Sequence, residues 1–298
     1  MKKLSVIIPV HNSLNYTKIC LAELTSSFEK HGFDHISIPI VIIDDGSQDG
    51  ASEWINDHYP FVHLIKGDGN LWWSGAINLG VKYSLSKLKV DYVLLWNNDI
   101  TPSPDYFNYA SQIINSEKNH AILCSMLYDK NKPDILITTG NFFNRKTGKI
   151  VINNWGVRES EANIENQQIN WFSGNGVLIN NEVFKSIGYF DEDNFPQYHG
   201  DSDFGLRATI AGYKIIFDSN LKIWNDTSRT GTHATKGGLK EFIDAFSSIR
   251  SNYNIKKDIK FYSRYVTSKL AYRGLIYKHL IYTLSFIKRQ LYTFFRLQ

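Results

Sequence analysis

The stretch Val93-Leu94-Leu95-Trp96-Asn97-Asn98-Asp99 decides the fold. Its apolar half is unbroken rather than alternating, as in a strand covered on both faces of a parallel sheet. It then stops at three oxygen-bearing side chains. In open α/β sheets, ligands bind just outside the carboxyl ends of the strands. Side chains 97 and 99 point to the same side of an extended chain. Two hard oxygen donors so placed suit a hydrated Mg²⁺ or Mn²⁺ that carries phosphate oxygens. An Asn/Asp turn assisted by Pro102 and Pro104 is the plainer reading of the same residues, so the neighbouring sequence has to choose.

Working outward, Leu4–Val10 and residues 38–43 are further apolar runs, and the second also ends in acids, Asp44-Asp45-Gly46-Ser47. Residues 61–65 form a shorter one. Between them lie segments of helical spacing: Tyr16, Cys20, Leu24 and Phe28; Trp54 and Ile55; Ile77, Val81, Leu85 and Leu88. Four strands alternating with three helices in the first hundred residues predict an α/β fold. Its sheet is Rossmann-like and mostly parallel, with right-handed crossovers and helices on both faces. No G-x-G-x-x-G follows the first strand and no G-x-x-x-x-G-K-[ST] occurs, which excludes the usual dinucleotide and P-loop fingerprints.

Downstream the pattern predicts a helix over 105–117, a strand over 121–127 and an insertion of short strands and turns over 134–170. After it come a short helix closed by Gly188, a helix from Asp201 or Ser202 to Gly212, and two short strands over 214–217 and 221–224. The division expected is one α/β domain over 1–240, with halves of about 1–105 and about 106–240. A basic, aromatic helical region follows over 241–298.

The 298 residues carry a net charge of +4, unevenly placed. Residues 251–298 hold ten Lys and Arg against one acid, Asp258, so the first 250 residues are net acidic. Two cysteines, Cys20 and Cys124, make neither a disulfide framework nor a metal site and read as buried thiols of a reducing compartment. Met1-Lys2-Lys3 and the following apolar run end at His11-Asn12 without a cleavage site, so no signal peptide is expected. No apolar segment reaches membrane-spanning length.

Four motifs now stand in order: Ser5 to Asn12, Ile43-Asp44-Asp45-Gly46-Ser47-x-Asp49, Asn97-Asn98-Asp99, and Gly200-Asp201-Ser202-Asp203-Phe204-x-x-Arg207. Together they resemble the family 2 glycosyltransferases, as does the segment from Gly69-Asn70 to Asn78-x-Gly80. The nearest flavour is the rhamnosyl- and galactofuranosyltransferase-like members of bacterial surface-polysaccharide (O-antigen) synthesis. The resemblance covers roughly residues 4–225 and implies a GT-A fold and an inverting transfer from a nucleoside-diphosphate sugar.

Residue by residue, the resemblance implies that Asp45, with Asp44 as partner or substitute, accepts the N3–H of a uracil or thymine ring. Pro9, Val10 and Asn12 would border that base. Asn70, Trp73, Asn97 and Asn98 complete the expected donor site, with the Trp72-Trp73 indoles stacking on sugar or packing beneath it. Asp99 matches the metal-binding acid of the Asp-x-Asp motif, and Asn97 replaces its first acid. The third ligand is often a His after the strand that ends here at Trp224. Asn225 occupies that place, leaving Asp226 and His233 as candidates. Asp201 matches the catalytic base, with Gly200 where an acid is usual and Asp203 as an alternative base. Trp171 and His199 would face the acceptor.

The tail interleaves Tyr, Phe, Ile and Leu with Lys and Arg from Phe261 to Gln298, with no acid after Asp258. Such a segment lies on an anionic membrane surface rather than crossing it; packing on the body or forming a dimer are the plainer alternatives. The expectation is therefore a cytoplasmic enzyme, peripheral on the inner face of the cell membrane and dependent on Mn²⁺ or Mg²⁺. It would transfer from a UDP- or dTDP-sugar to a lipid-linked glycan and would not bind nucleic acid. The Asn97 and Asn225 departures leave one rival, a catalytically lapsed sugar-nucleotide or glycan-binding scaffold. A nucleotidyltransferase is disfavoured because no Gly-rich basic loop follows the first strand.

Overall fold

The computed structural model describes residues 2–34, 36–118, 120–164, 167–227 and 238–296. Strand β1 (Leu4–Val10) leads to helix α1 (Leu14–Lys30), β2 (Ile40–Asp44), α2 (Ala51–His58), β3 (His63–Lys66), α3 (Trp72–Tyr83) and β4 (Tyr92–Leu95). These strands pair in parallel in the order β3-β2-β1-β4. The helical spacing that ran on through Leu88 changes at Tyr83, where a single π turn, Ser84–Leu88, ends the helix.

The second half adds β5 (Ile100–Pro102), α4 (Tyr106–Asn115), β6 (Ile122–Asp129), β7 (Lys132–Thr138), the β8–β9 hairpin (Asn141–Phe143 and Ile150–Ile152), β10 (Val177–Asn180), α5 (Asn181–Ile187), α6 (Gly200–Ile210) and β11 (Ile215–Asn225). Strand β10 enters antiparallel between β4 and β6 and joins the halves into one nine-stranded sheet. The expected pair of strands at 214–224 is one strand. A register shift between Asp218 and Lys222 bends it, and the Asp218 carboxylate caps the kink at Asn220 N–H (2.9 Å).

Alternation along β1 builds the two layers. Leu4, Val6, Ile8 and Val10 pack on α1, α2 and α4, while Ile7 on the other face meets α3, α5 and α6 through Ile77, Val183, Phe184 and Phe204. Gly80 is what lets α3 sit close, because a Cβ there would overlap the Ile7 side chain and lie 3.4 Å from Ile43 Cγ1. Asn78, two residues earlier, anchors the Phe190 loop from both ends of its amide (2.8 Å to Phe190 O, 2.9 Å from Phe190 N). The Asn-x-Gly pair is therefore architectural. Cys20 and Cys124 are buried and free, and burial pushes both thiols up.

Three more helices complete the described chain: α7 (Leu239–Asp244), α8 (Ile255–Tyr265) and α9 (Tyr272–Arg296). Helix α8 is not an appendage. Phe261, Tyr262 and Tyr265 form a third cluster with Phe143 of the β8–β9 hairpin, Phe195 and Leu206 of α6. The Tyr262 hydroxyl donates to Gly148 O (2.7 Å) and the Arg145 guanidinium to Tyr265 O (2.8 Å). Helix α9 buries Leu275, Tyr282 and Phe286 on its inner side. Its outer side leaves Ile276, Leu280, Leu284, Ile287 and Leu291 between 46% and 65% exposed.

Candidate functional site

A cleft of about 790 Å³ opens at the carboxyl ends of the strands. It brings together six predicted residues, Trp73, Asn97, Asp99, Trp171, His199 and Asp201, with Asn175, Asn225 and the α9 residues Tyr277, Lys278 and Ile281. Asp99 and Asp201 are the carboxylates among its described lining.

Asp201 stands in the first turn of α6. Its Oδ1 accepts the Ser202 N–H (2.8 Å) and its Oδ2 the Gly174 N–H (3.3 Å). Burial raises its pKa above the usual carboxylate value, and the Ser202 N–H, the His199 charge and the Gly174 N–H pull it part of the way back. Gly200 before it is required by space, since a Cβ there would overlap Ser74 Oγ, which is itself tied to Phe195 O (2.6 Å). The acid usual at that position does not fit this chain. Asp203 faces the other way. Its buried carboxylate is held by Arg207 (2.8 Å), Arg264 and Tyr265, so the alternative base is a structural ion-pair centre.

Gly174 and Gly176 flank Asn175 in the turn before β10. A Cβ on Gly174 would lie 2.6 Å from Trp73 Cη2. Trp73 Nε1–H donates to Asn97 Oδ1 (3.1 Å), and the Asn97 amide donates to Asn175 Oδ1. Asn97 thus fixes the indole and the 174–176 turn. Asn98 turns from the cleft, its amide donating to Ser13 Oγ (2.7 Å) and Thr17 Oγ1 (3.0 Å) of α1.

Asn225 and Asp226 separate as neighbours in an extended chain must. Asp226 accepts the Tyr16 hydroxyl (3.1 Å) on the α1 side, whereas Asn225, like Asp99, lines the cleft. Antiparallel pairing places Asn225 opposite Ile100, and Asp226 N–H donates to Asp99 O (3.0 Å). Asn225 Oδ1 is buried and accepts no hydrogen bond among the described residues. A hard oxygen acceptor of this kind, lining the same cleft as Asp99, suits a divalent ion whose remaining ligands come from phosphate and water. Asp226 is not among the described lining of the cleft, and His233 lies outside the described residues. Among the described residues no group of three His, Cys, Asp or Glu side chains forms a metal cluster.

The residues expected to border the donor base lie outside this lining, at the ends of β1 and β2. Val10 O accepts the Asp45 N–H (2.9 Å). Asp45 divides its carboxylate between Gly69 N–H (2.8 Å) and Trp72 N–H (3.1 Å), holding the loop over the strand ends. It also holds Trp72 at φ +54, a left-handed conformation that a bulky residue keeps only under such constraint. Asp44 is directed instead to Ser47 N–H (2.9 Å) and the Ser52 hydroxyl. Asn12, at φ +47, links the two loops by accepting the Gln48 N–H (2.8 Å). Pro9 pairs with Ile43 inside the sheet, and Asn70 is exposed. Asp49 takes the Leu14 N–H (2.7 Å) and so supplies the cap of α1 that Ser13 does not.

Of the two residues expected to face the acceptor, Trp171 borders the cleft with its backbone pressed against Gly205 of α6. His199 also borders it, but its Nε2 is committed to Asp258 Oδ1 (2.7 Å) and its ring stacks on Phe261 (centroids 4.6 Å apart). Helical periodicity could not have revealed Asp258, Lys278 or Asn175 as site neighbours. The lone acid in the basic tail and the Asn between two glycines were their faint signals.

Two relatives share about a quarter of their aligned residues with this chain. A low-salt glycan biosynthesis hexosyltransferase, Agl10 of Haloferax volcanii, is 25% identical over 56% of this chain and 52% of its own length. An N-acetylglucosaminyl-diphospho-decaprenol L-rhamnosyltransferase of Mycobacterium tuberculosis is 22% identical over 62% of this chain and 66% of its own. The chain thus spans between half and two thirds of the curated relatives it matches.

Among solved structures, S. aureus TarS 1-349 in complex with UDP superposes with a TM-score of 0.54 at 18% identity, covering 76% of this chain and 60% of that one. The mannosyltransferase PcManGT from Pyrobaculum calidifontis, in complex with GDP-Man and Mn²⁺, gives 0.54 at 13% identity, covering 98% and 84%. These likenesses confirm the fold. The family profile described as "Glycosyl transferase family 2" matches residues 5–188, and the chain belongs to that family.

Proposed function

We propose that the chain transfers a sugar from a UDP- or dTDP-sugar to a hydroxyl of a growing, lipid-linked surface glycan, inverting the anomeric carbon. The observation that carries this reading is the sharing of one cleft by Asp201 and the Asp99–Asn225 pair. Direct displacement needs one carboxylate to take the acceptor's proton and no enzyme nucleophile. Asp201 has the raised pKa of a useful base and is steadied by the Gly174 and Ser202 amides. Asp99 and Asn225 would hold Mn²⁺ or Mg²⁺, whose contribution is to neutralise the departing diphosphate. Each Asp45 oxygen keeps a second lone pair beyond its backbone bond, and one of these would accept the base N3–H.

The lipid-linked acceptor and a peripheral membrane position are favoured by α9. Its outer face is apolar over Ile276 to Tyr292, it carries Arg273 and Lys288 exposed on the same side, and the sequence has no acid after Asp258. Tyr277 and Ile281 belong both to that face and to the cleft lining, so an acceptor held in the membrane surface would meet the cleft directly. No helix among the described residues is long and apolar enough to cross a membrane.

The test is Asp201→Asn, which preserves size and removes the base. Expected are loss of transfer by at least about 10²-fold, the usual worth of a positioned base, and nucleotide binding within a factor of two of wild type. Wild-type turnover in the variant would overturn the assignment.

A further inference from the structure

Asp258 has no place in the chemistry above, yet its carboxylate meets two histidines and a lysine. It is fully buried on the first turn of α8. Its Oδ1 meets His199 Nε2 (2.7 Å) and Lys278 Nζ (2.7 Å), and its Oδ2 meets His279 Nε2 (2.8 Å) and Lys278 Nζ (2.9 Å). Burial alone would raise its pKa, but the bonds from both histidines and the Lys278 charge outweigh this and hold it well below the usual carboxylate range. It is therefore an ionised acceptor, and His199 Nε2–H donates to it.

The segment it grips is strained. Tyr198 and His199 are consecutive non-glycine residues at φ +58 and +59, a left-handed pair that persists only where the surroundings enforce it. Helix α8 holds both sides of the pair. Lys257 Nζ donates to Gln197 O (2.7 Å), and Asp258 takes the His199 ring, which also lies flat on Phe261. His199 in turn is the N-cap of α6, and its carbonyl accepts the Asp203 N–H (2.7 Å). Asp201 sits inside the turn so defined. A buried ion cluster is a costly means of gaining stability, but it fixes geometry well.

We propose that Asp258 is a positioning residue for Asp201, acting through the His199 ring to hold the left-handed 198–199 turn from which α6 starts. The basic tail is then a working part of the catalytic site as well as a docking element. This rests on Asp201 being the base.

The deciding experiment compares His199→Asn with His199→Gln. Asn tolerates the left-handed backbone but its amide stops short of Asp258, whereas Gln carries a donor to about the position of Nε2. The readout is nucleotide release by hydrolysis of whichever donor wild type cleaves among UDP-glucose, UDP-galactose, UDP-N-acetylglucosamine and dTDP-rhamnose. Hydrolysis needs no glycan acceptor, so a lost acceptor contact does not register. Expected for His199→Asn is a fall in kcat of about 10- to 100-fold, the scale of a base misplaced by an ångström, with donor KM within twofold and thermal melting preserved. His199→Gln recovers most of kcat, and Asp258→Asn, where it folds, matches His199→Asn. Wild-type kcat in His199→Asn, equal loss in Asn and Gln, or a loss confined to KM each overturns the proposal. If Asp201→Asn keeps its turnover, it is the base assignment that fails; if Asp201→Asn is inactive while His199→Asn is normal, the positioning role alone fails.

Discussion

Gly174→Ala is the sharpest test of how the cleft is assembled. The added methyl would lie 2.6 Å from Trp73 Cη2 and 3.1 Å from Cε2, with Cζ2 nearer still. Carbon atoms rest at about 3.5–4.0 Å, so the ring or the turn has to move by roughly 1 Å. Neither moves freely. Trp73 is bonded through Nε1 to Asn97 (3.1 Å), packs edge-on against Phe190 (5.4 Å) and is tied at its amide to Gln197 (3.2 Å). The 174–176 turn is tied to Asp201 and to Leu95 O (2.9 Å). Overpacking of this kind costs about 1–3 kcal/mol, and breaking the Trp73–Asn97 bond adds about 1 kcal/mol. We expect a loss of about 2–4 kcal/mol, read from urea midpoints, and a fall in kcat because the Gly174 N–H leaves Asp201. Trp73→Phe removes the atoms in conflict. The double variant should therefore be more stable than the sum of the single effects predicts, by about 1 kcal/mol or more, as coupled neighbours are. Additive behaviour, or a Gly174→Ala cost under about 0.5 kcal/mol, would refute the packing argument.

Three further outcomes follow from the same geometry. UDP or dTDP with Mn²⁺ should raise the melting temperature, and EDTA should cancel the rise; Asp99→Ala should abolish the Mn²⁺-dependent part and Asn225→Ala should weaken it about 10-fold or more, and unchanged affinity in both variants removes the metal assignment. Burial holds the His199 pKa below its ordinary 6.5 despite the bond to Asp258, so the unfolded chain takes up a proton first; stability contributed there is present above about pH 6.5 and lost as pH falls below it, and urea midpoints of His199→Gln should lose that slope. Vesicles containing anionic lipid should bind the protein in a salt-sensitive manner, and Leu280→Glu with Leu284→Glu should abolish binding without lowering donor hydrolysis in solution; equal binding to neutral vesicles at high salt contradicts the electrostatic part of the reading.

Much of this protein was legible in its residues. Strand periods, the acids at strand ends and four ordered motifs gave the sheet and the family resemblance, because those signals are local: period two or 3.6, a turn, a cap. Local signals do not say where a side chain points once strands are registered. Asp44 and Asp45 are adjacent and alike in sequence, yet one is consumed by Ser47 and Ser52 and the other holds the Gly67–Trp72 loop. Asn225 lines the cleft, whereas its neighbour Asp226 takes the Tyr16 hydroxyl of α1. Asp203, the alternative base, is claimed by Arg264 and Tyr265 from 61 and 62 residues downstream. The tail's composition announced a basic amphipathic surface. Only tertiary packing joined its single acid, Asp258, to His199 across 59 residues. A contact of that separation arises from the close packing of helices on a common core, and no periodicity within either segment encodes it.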